Sequence, residues 1–190
     1  MKAPPKKAQR LAELAEQIRV CVQCPLHQSR TSAVPGDGKP SAKVMIIAEA
    51  PGKEEDESGH PFVGSAGRFL NHVLEGTGID REDLFITNTV KCRPPRNRTP
   101  KKGEVDTCTG LYLFEQVELV NPKLIVLLGS VAAKKLLGVK SVNEARGRVI
   151  ERNGRKYLVT YHPAVRFYRD DLADKVKEDF ARLKRELQEL

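Results

Sequence analysis

Long apolar runs are absent from this chain of 190 residues. A membrane-spanning helix needs about 20 consecutive apolar residues, and no stretch approaches that length, so we expect no membrane segment. The N-terminal segment, MKAPPKKAQR, is basic and lacks the apolar centre of a secretory signal. We therefore expect a cytoplasmic protein.

Internal repeats, linkers and low-complexity segments are also absent. The chain is long enough to bury a substantial hydrophobic core without dividing. We therefore expect a single domain over residues 1–190.

Cysteine is scarce, and its four positions are unevenly spaced: Cys21, Cys24, Cys92 and Cys108. Two structural disulfides would need an oxidising compartment, which the missing secretory signal argues against. Four thiolates suit either zinc or an iron–sulfur cluster. A zinc ribbon usually repeats the C-x-x-C knuckle, and the second pair of cysteines does not form one. The spacing therefore favours a [4Fe–4S] cluster with all four cysteines as its ligands.

Acidic residues are missing from residues 91–102, KCRPPRNRTPKK, in a chain whose formal net charge is +8. The prolines disfavour helix and sheet, so we expect an exposed basic loop. Aromatic residues are missing too, so we do not expect this loop to stack on bases. Cysteines near both ends would hold it as a stiff cationic surface for a phosphate backbone, with a simply solvated loop as the alternative. Its cationic residues are Lys91, Arg93, Arg96, Arg98, Lys101 and Lys102.

Short apolar runs and amphipathic segments alternate along the chain. The apolar runs predict four buried strands, at residues 43–48, 84–88, 123–128 and 157–161. The amphipathic segments predict helices, at residues 5–20, 65–76, 102–121, 130–137 and 171–190. Residues 49–64 predict a long loop, and Asn153-Gly154 predicts the turn of a basic hairpin. This alternation predicts an α/β fold with a mostly parallel sheet and helices on both faces.

Polar residues follow the predicted strands at the sheet edge where ligands bind in such folds. The first strand ends at Glu49, the second at Asn88, the third at Gly129 and the fourth at His162. We expect an acid, an amide and an imidazole to converge on one crevice there, with Phe62 on the loop above it. Taken singly, the asparagine and histidine are also typical of strand ends, and the phenylalanine is typical of a core anchor.

Three segments carry a resemblance to a known family: AEAPGKEEDESGHPFVGSAG, ITNTVKCRPP and YHPA. Together with the four cysteines, they resemble the uracil-DNA glycosylases of family 4, the thermophile-type enzymes with a [4Fe–4S] cluster. The resemblance extends from Cys21 to the C-terminal helix. It implies a three-layer α/β/α sandwich around a four-stranded parallel sheet. It also implies a base-excision repair enzyme that hydrolyses the N-glycosidic bond of deoxyuridine in single- or double-stranded DNA, releasing uracil and leaving an abasic site.

The resemblance assigns catalytic roles to three residues. Asn88 would donate to uracil O4 and accept from N3–H, where cytosine offers the opposite pattern, and each unpaired buried group costs about 1–3 kcal/mol. His162 would donate to uracil O2 and stabilise the negative charge of the departing base. Glu49 would position or activate the attacking water and stabilise the positive charge of the sugar.

Further residues of the first segment would surround the base. Phe62 would stack on it, and Ala50 matches a position whose backbone contacts it. Glu55 would lie near the C5 edge and help exclude the methyl group of thymine. The alternative for residues 54–57 is a solvated acidic run.

The chain departs from the family pattern after the YHPA segment. Residues 165–169 would enter the minor groove and wedge the duplex as the base leaves, and Arg166, Phe167 and Tyr168 are the candidate wedges. The commoner glycine before Glu49 is replaced by Ala48. No insertion after Asn88 carries the extra histidine of covalently trapping relatives, so we expect ordinary turnover.

Two other function classes stay open from the sequence. One is a non-catalytic iron–sulfur DNA-binding module, whose affinity would depend on salt and not on uracil. The other is a broader-range glycosylase for mismatches or hypoxanthine, a group that typically lacks the glutamate at position 49. The expected partners are DNA that contains uracil and, as the product, free uracil. We expect a monomer that associates with the prokaryotic nucleoid. The sequence leaves open whether it also binds a sliding clamp. A composition rich in charge and poor in asparagine and glutamine is typical of thermophiles.

Overall fold

The computed structural model describes residues 5–189 of the chain. Residues 1–4 of the predicted domain and residue 190 of the predicted C-terminal helix lie outside the described residues. The helices are α1 (Pro5–Arg19), α2 (Lys53–Ser58), α3 (Ser65–Thr77), α4 (Lys102–Cys108), α5 (Phe114–Val120), α6 (Ser130–Leu137), α7 (Val142–Ala145) and α8 (Asp170–Gln188). The strands are β1 (Asp37–Gly38), β2 (Val44–Ala48), β3 (Leu84–Asn88), β4 (Leu124–Leu128), β5 (Val149–Arg152) and β6 (Arg155–Thr160).

The strands form one six-stranded sheet in the order β1-β3-β2-β4-β6-β5. The four predicted strands are its centre, and β3, β2, β4 and β6 are mutually parallel. The short strands β1 and β5 add an antiparallel edge on each side. Asn153 and Gly154 both have positive φ between β5 and β6, as the predicted hairpin turn requires.

The hydrophobic core lies on both faces of the sheet, because successive residues of a strand point to opposite faces. On β2, Ile46 packs in a cluster with residues of α3 and α8. Its neighbours Met45 and Ile47 pack in a second cluster, with residues of α1, α5, α6 and α7. Helix layers therefore cover both faces, and the predicted three-layer α/β/α sandwich is confirmed. No helix in residues 5–189 combines the length and the apolar character that crossing a bilayer requires.

The helix predicted over residues 102–121 is continuous but irregular. Between α4 and α5 the chain makes a π-helical turn, Thr109–Leu113. Such turns are frequent at functional sites, because the extra residue shifts the side chains that follow it. The helix ends at Asn121, which adopts a left-handed conformation with φ of 50°.

The prediction of a long loop over residues 49–64 is wrong in part, because it contains α2. This helix begins after Gly52, and Glu54, Glu55 and Asp56 lie in its first turn. Acidic side chains in the first turn stabilise a helix because they interact with the positive end of its dipole. The rest of the segment is irregular.

Candidate functional site

An open cavity lies at the carboxyl ends of β2, β3 and β6. The structure brings together there the six predicted catalytic and substrate-binding residues, although they come from three distant segments. The cavity wall also contains residues of the basic loop and of the segment after His162. These cavity-lining residues are Glu49, Ala50, Glu55, Phe62, Asn88 and His162.

Neighbouring strand ends position the acid and the amide. Ala48 lies opposite Asn88 in the β2–β3 register. Pairing continues beyond the strands, because the N–H of Thr89 donates to Ala48 O at 2.8 Å and that of Val90 donates to Glu49 O at 3.2 Å. The backbone that carries Glu49 and Asn88 is therefore held on both sides of the strand ends.

The amide of Asn88 is buried and available. Asn88 is only 2% exposed, and no residue in the described part of the chain hydrogen-bonds to its side-chain amide. Its amide atoms are not among the fully enclosed side-chain atoms that lack a partner, so the amide opens into the cavity, where water or a ligand can bond to it. A flat ligand edge that offers both an acceptor and a donor would satisfy it.

The carboxylate of Glu49 also lacks a hydrogen-bonding partner among residues 5–189, and it lines the same cavity. Burial raises the pKa of Glu49 above its ordinary value. A desolvated carboxylate of this kind is a stronger base than a solvated one and accepts readily from a water molecule.

The ring of His162 has a defined tautomer. The N–H of Ala164 donates to its Nδ1 at 3.2 Å, at the start of the 3₁₀ helix Pro163–Phe167. Burial lowers the pKa of His162 to about 4, partly offset by Glu55. The ring is therefore neutral at pH 7, and its Nε2 carries the proton as a hydrogen-bond donor.

A glycine in α3 allows Phe62 to lie beside His162. The two rings stack with centroids 5.8 Å apart and planes inclined by 26°. Phe62 has a φ of 54°, which is uncommon for a bulky residue, and a Cβ at Gly67 would lie 1.9 Å from its carbonyl oxygen. Only glycine at position 67 therefore permits this close approach of the Phe62 backbone to the helix.

The acidic residues of α2 hold the surrounding loops. Glu55 Oε1 accepts from the N–H groups of Val63 at 3.0 Å and Gly64 at 2.8 Å, and its Oε2 accepts from Gly52 at 3.1 Å. Its predicted contact with the base stays a prediction beside this structural role.

Asp56 is 3% exposed and accepts from the backbone of Thr31 and Ser32. The alternative of a solvated acidic run over residues 54–57 is therefore wrong for Glu55 and Asp56, because both carboxylates are bonded to backbone.

The basic loop is exposed at its tip but not at its start. The prediction that Lys91 belongs to the exposed cationic surface is wrong, since Lys91 is 1% exposed and hydrogen-bonded inside the protein. Arg98 forms two bonds of 2.8 and 2.7 Å with the buried carboxylate of Glu104, which fixes the shape of the loop. The exposed cations are Arg96, Lys101 and Lys102, while Arg93 is half-buried and bonded to Asn97.

The candidate wedge residues lie at the mouth of the cavity. Phe167 is 52% and Tyr168 is 80% exposed, and both line the cavity rim. Arg166 instead lies over the ring of Phe69, at 5.4 Å from its centroid. Phe167 and Tyr168 are therefore the two aromatic side chains of this segment that are exposed at the mouth of the cavity.

All four cysteines line a second cavity, between α1, α4 and the start of the basic loop. They are free thiols, so the disulfide alternative is not supported. Within residues 5–189, no group of three or more metal-binding side chains is arranged to hold a metal ion. A single tetrahedral zinc would need sulfur atoms about 3.8 Å apart. A cluster with several iron atoms needs a wider set of thiolates around a shared cavity, which fits these four residues.

The surroundings of these thiols, which we call the cysteine centre, favour thiolates bound to a cation. Burial raises the pKa of Cys108 to about 11 and also raises the pKa values of Cys24 and Cys92, so the thiols need added positive charge to ionise. Arg30 donates to Cys92 Sγ at 3.0 Å, and the N–H of Lys91 donates to Cys108 Sγ at 3.3 Å.

Sequence patterns did not indicate three residues of these two sites. Arg30 lies in an irregular segment with no periodicity, so nothing marked it. Lys91 belongs to the predicted basic loop, although its position between Val90 and Cys92 is a signal of burial. Gly67 lies inside the predicted helix 65–76, where an isolated glycine can have a packing reason that the pattern alone does not show.

Comparison with known proteins agrees with this geometry. Residues 35–188 match the family described as the Uracil DNA glycosylase superfamily. The type-4 uracil-DNA glycosylase of Archaeoglobus fulgidus is 40% identical over 182 residues, which cover 91% of this chain and 91% of that protein. The type-4 enzyme of Thermotoga maritima is 41% identical over 176 residues, which cover 90% of this chain and 91% of the relative. A type-5 uracil-DNA glycosylase of Pyrobaculum aerophilum is 32% identical over 149 residues, covering 69% of this chain and 65% of that protein. The chain belongs to the uracil-DNA glycosylase superfamily and, within it, to the type-4 enzymes.

Proposed function

We propose that this protein hydrolyses the N-glycosidic bond of deoxyuridine in DNA, releasing uracil and leaving an abasic site. The observation that carries the proposal is the pair of complementary groups in one cavity. The unpartnered amide of Asn88 and the neutral imidazole of His162 face the same space, beside the unpartnered carboxylate of Glu49. The names of the type-4 relatives support the same reaction.

Uracil satisfies the amide of Asn88 in both directions. Its O4 accepts from the Asn88 Nδ2 and its N3–H donates to Oδ1, whereas cytosine has a donor at position 4 and an acceptor at position 3. A buried site that leaves two groups unpaired disfavours cytosine by about 1–3 kcal/mol per group. Phe62 supplies a flat apolar face for the base, since its ring is already stacked beside His162.

His162 acts on the leaving group. As the bond between C1′ and N1 breaks, negative charge spreads over uracil and reaches O2. The Nε2–H donates to O2 without transferring its proton, because the ring is held neutral by burial. A preorganised donor at such a developing charge contributes about 2.7–4 kcal/mol of barrier lowering.

Glu49 acts on the sugar side of the bond. Its carboxylate accepts a proton from the attacking water, whose oxygen then forms the new bond to C1′. Its negative charge also stabilises the positive charge that develops on the deoxyribose ring. The pKa of Glu49, raised by burial, makes it the better proton acceptor.

The DNA is bound from the rim of the cavity. The deoxyuridine must leave the base stack to reach Asn88, and Phe167 and Tyr168 are exposed at the mouth to fill the vacated position. Arg96, Lys101 and Lys102 offer charge to the phosphates.

The cysteine centre would hold a [4Fe–4S] cluster through Cys21, Cys24, Cys92 and Cys108. When bound, the cluster would supply positive charge to the four thiolates, of which those of Cys92 and Cys108 are buried, and would tie the segment after α1 to the basic loop, which is a structural contribution. Arg30 and the backbone of Lys91 then stabilise the thiolates by hydrogen bonds.

A broader-range activity is less well supported. The type-5 relative is less similar than the type-4 enzymes, at 32% against 40–41% identity. The glutamate at position 49 also favours the type-4 reaction.

The test is cleavage of an oligonucleotide with one uracil, compared with the same oligonucleotide carrying thymine at that position. We expect alkali-sensitive abasic sites from the uracil substrate alone, and a single-turnover rate lower by about 10–100-fold in Asn88→Ala, since up to two partners are lost. Gln17→Ala, an exposed change on α1, is the matched control and should retain the full rate. Absence of abasic sites with the iron-containing protein would contradict the proposal.

A further inference from the structure

Lys91 is the largest fully buried side chain of the described residues, at 1% exposure. Its ammonium group makes three hydrogen bonds: to Thr87 Oγ1 at 2.6 Å, to the Asn88 carbonyl at 2.8 Å and to Gln116 Oε1 at 2.6 Å. An ammonium group has three donors, so its capacity is filled.

The acceptors around this ammonium are themselves held. Thr87 Oγ1 donates to the carbonyl of Pro35 at 2.9 Å, and Gln116 Nε2 donates to the same carbonyl at 2.8 Å. Both side chains are buried, so neither can turn towards water instead. The network is closed, and it fixes the ammonium against the carbonyl of Asn88.

The backbone of the same residue belongs to the cysteine centre. Its N–H donates to Cys108 Sγ at 3.3 Å, and its carbonyl accepts from Val34 at 2.7 Å. One residue therefore contacts the sulfur atom of Cys108 with its backbone and the end of β3 with its side chain.

We propose that Lys91 is a positioning residue that fixes the backbone of Asn88, and thereby aims its side-chain amide, from an anchor in the cysteine centre. This rests on the proposed function, since it takes Asn88 as the residue that recognises uracil. The ammonium holds the carbonyl side of Asn88, while the pairing of Thr89 with Ala48 holds the chain just beyond it. With the backbone fixed on both sides, the amide faces the cavity and has no hydrogen-bonding partner among residues 5–189.

Filling of space alone does not account for a lysine here. An apolar side chain of similar length would pack in the same volume without the cost of burying a charge. An apolar side chain could not hydrogen-bond to the three oxygen atoms of Thr87, Asn88 and Gln116, and so could not fix their arrangement. The distinguishing expectation is therefore that loss of Lys91 acts on catalysis through Asn88.

The test is a double-mutant cycle on the uracil oligonucleotide, with single-turnover rates measured for Lys91→Met, Asn88→Ala and the double variant. A misaimed amide should slow Lys91→Met by about tenfold to a hundredfold in the wild-type background. In the Asn88→Ala background the same change should cost less than about twofold, because the side chain it aims is already gone. Equal losses in both backgrounds would overturn the proposal, since a general structural defect acts in both. Lys123→Met, an exposed change before β4, is the matched control.

A second measurement does not need activity. Amide hydrogen exchange of residues 87–91 should become faster in Lys91→Met, while exchange in β4 stays as in the wild type. Unchanged exchange at 87–91, or an equal increase in β4, would overturn the proposal. If the wild type released no uracil, the proposed function would fail, but this exchange pattern would still decide whether Lys91 holds the Asn88 backbone. Thr87→Val, which removes one acceptor and leaves the lysine, covers the case in which Lys91→Met does not fold, and it should show both effects at smaller size.

Discussion

The candidate cavity and the cysteine centre adjoin the same stretch of chain, residues 88–92, but they treat their polar groups in opposite ways. In the cavity, Asn88 and Glu49 have no protein partner in the described part of the chain, and His162 keeps one nitrogen free. In the cysteine centre, Arg30 and the backbone of Lys91 already bond to the sulfur atoms.

This difference indicates that the cavity is the reactive site and that the cysteine centre supports the structure around it. Buried polar groups are normally paired inside a protein, so unpaired ones in a cavity are held for a ligand. The thiols of Cys92 and Cys108 already accept hydrogen bonds from the protein, and these bonds fix the surrounding backbone and side chains. Changes in the cavity should therefore act mainly on the rate, whereas changes in the residues that support the cavity should lower stability as well.

The largest effect on rate is expected for His162→Ala, which removes the donor at the departing base. We expect the single-turnover rate to fall by about 10²–10³-fold, the usual loss for one such donor. The midpoint of thermal unfolding should fall only slightly, because the ring faces the cavity and, within residues 5–189, its hydrogen bonding and ring stacking are limited to the bond from the Ala164 N–H and the stack with Phe62. His72→Ala, exposed on α3, is the matched control and should keep the full rate. A large loss of stability in His162→Ala would break the contrast between the two regions.

The next effect is a pH dependence set by Glu49. Its ionised form accepts the proton from water, and burial raises its pKa, so the rate should rise with pH through a value above the ordinary 4.5. Below that value the rate should fall about tenfold per pH unit. No second limb is expected near pH 6.5, because the pKa of His162 is lowered to about 4.

The same raised pKa gives a stability effect of defined sign. A carboxyl group whose pKa is higher in the folded state is destabilising once the pH exceeds its unfolded pKa. Glu49→Gln should therefore be slower but more stable than the wild type at pH 7, and equally stable below about pH 4. Glu75→Gln, exposed on α3, is the control for loss of one negative charge. An acid limb that persists in Glu49→Gln would show that another group titrates.

The strands and the convergence of the cavity could be predicted from the sequence, since both follow from local patterns. Mostly apolar runs of five or six residues predicted the four parallel strands, and the rule for ligands in parallel sheets predicted that Glu49, Asn88 and His162 meet. Two edge strands were not predicted as such: β1 has only two residues, and β5 was recognised only as part of a hairpin.

Burial of charge could not be predicted, because it depends on partners distant in the chain. Lys91 is surrounded by oxygen atoms that include one from Gln116, 25 residues away, so its loop context suggested exposure. Asp56 is likewise buried by the backbone of residues 31 and 32. In both cases tertiary hydrogen bonds outweigh the preference of a charged side chain for water.

A smaller effect separates two glycines of α3. A Cβ at Gly67 would lie 1.9 Å from the carbonyl oxygen of Phe62, whereas one at Gly76 would meet nothing within 4 Å. Gly67→Ala should lower the free energy of unfolding by about 1–3 kcal/mol and slow the reaction, because Phe62 must move from beside His162. Gly76→Ala should instead raise the free energy of unfolding by about 0.5–1 kcal/mol. Equal effects, measured by chemical denaturation, would contradict the role assigned to Gly67.

The smallest effect concerns the exposed part of the basic loop, beside the cavity, which we do not expect to recognise the base. Lys101 is exposed and belongs to the basic loop, so Lys101→Gln should remove one phosphate contact and leave uracil recognition intact. The slope of log affinity against log salt should become shallower by about 0.9, and equally for uracil- and thymine-containing DNA. Lys123→Gln makes the same change in charge before β4, at the edge of the sheet away from the cavity. It should leave the slope unchanged. If both variants changed the slope equally, the attraction would come from the net charge of the whole protein, and the basic loop would not be a defined phosphate-binding surface.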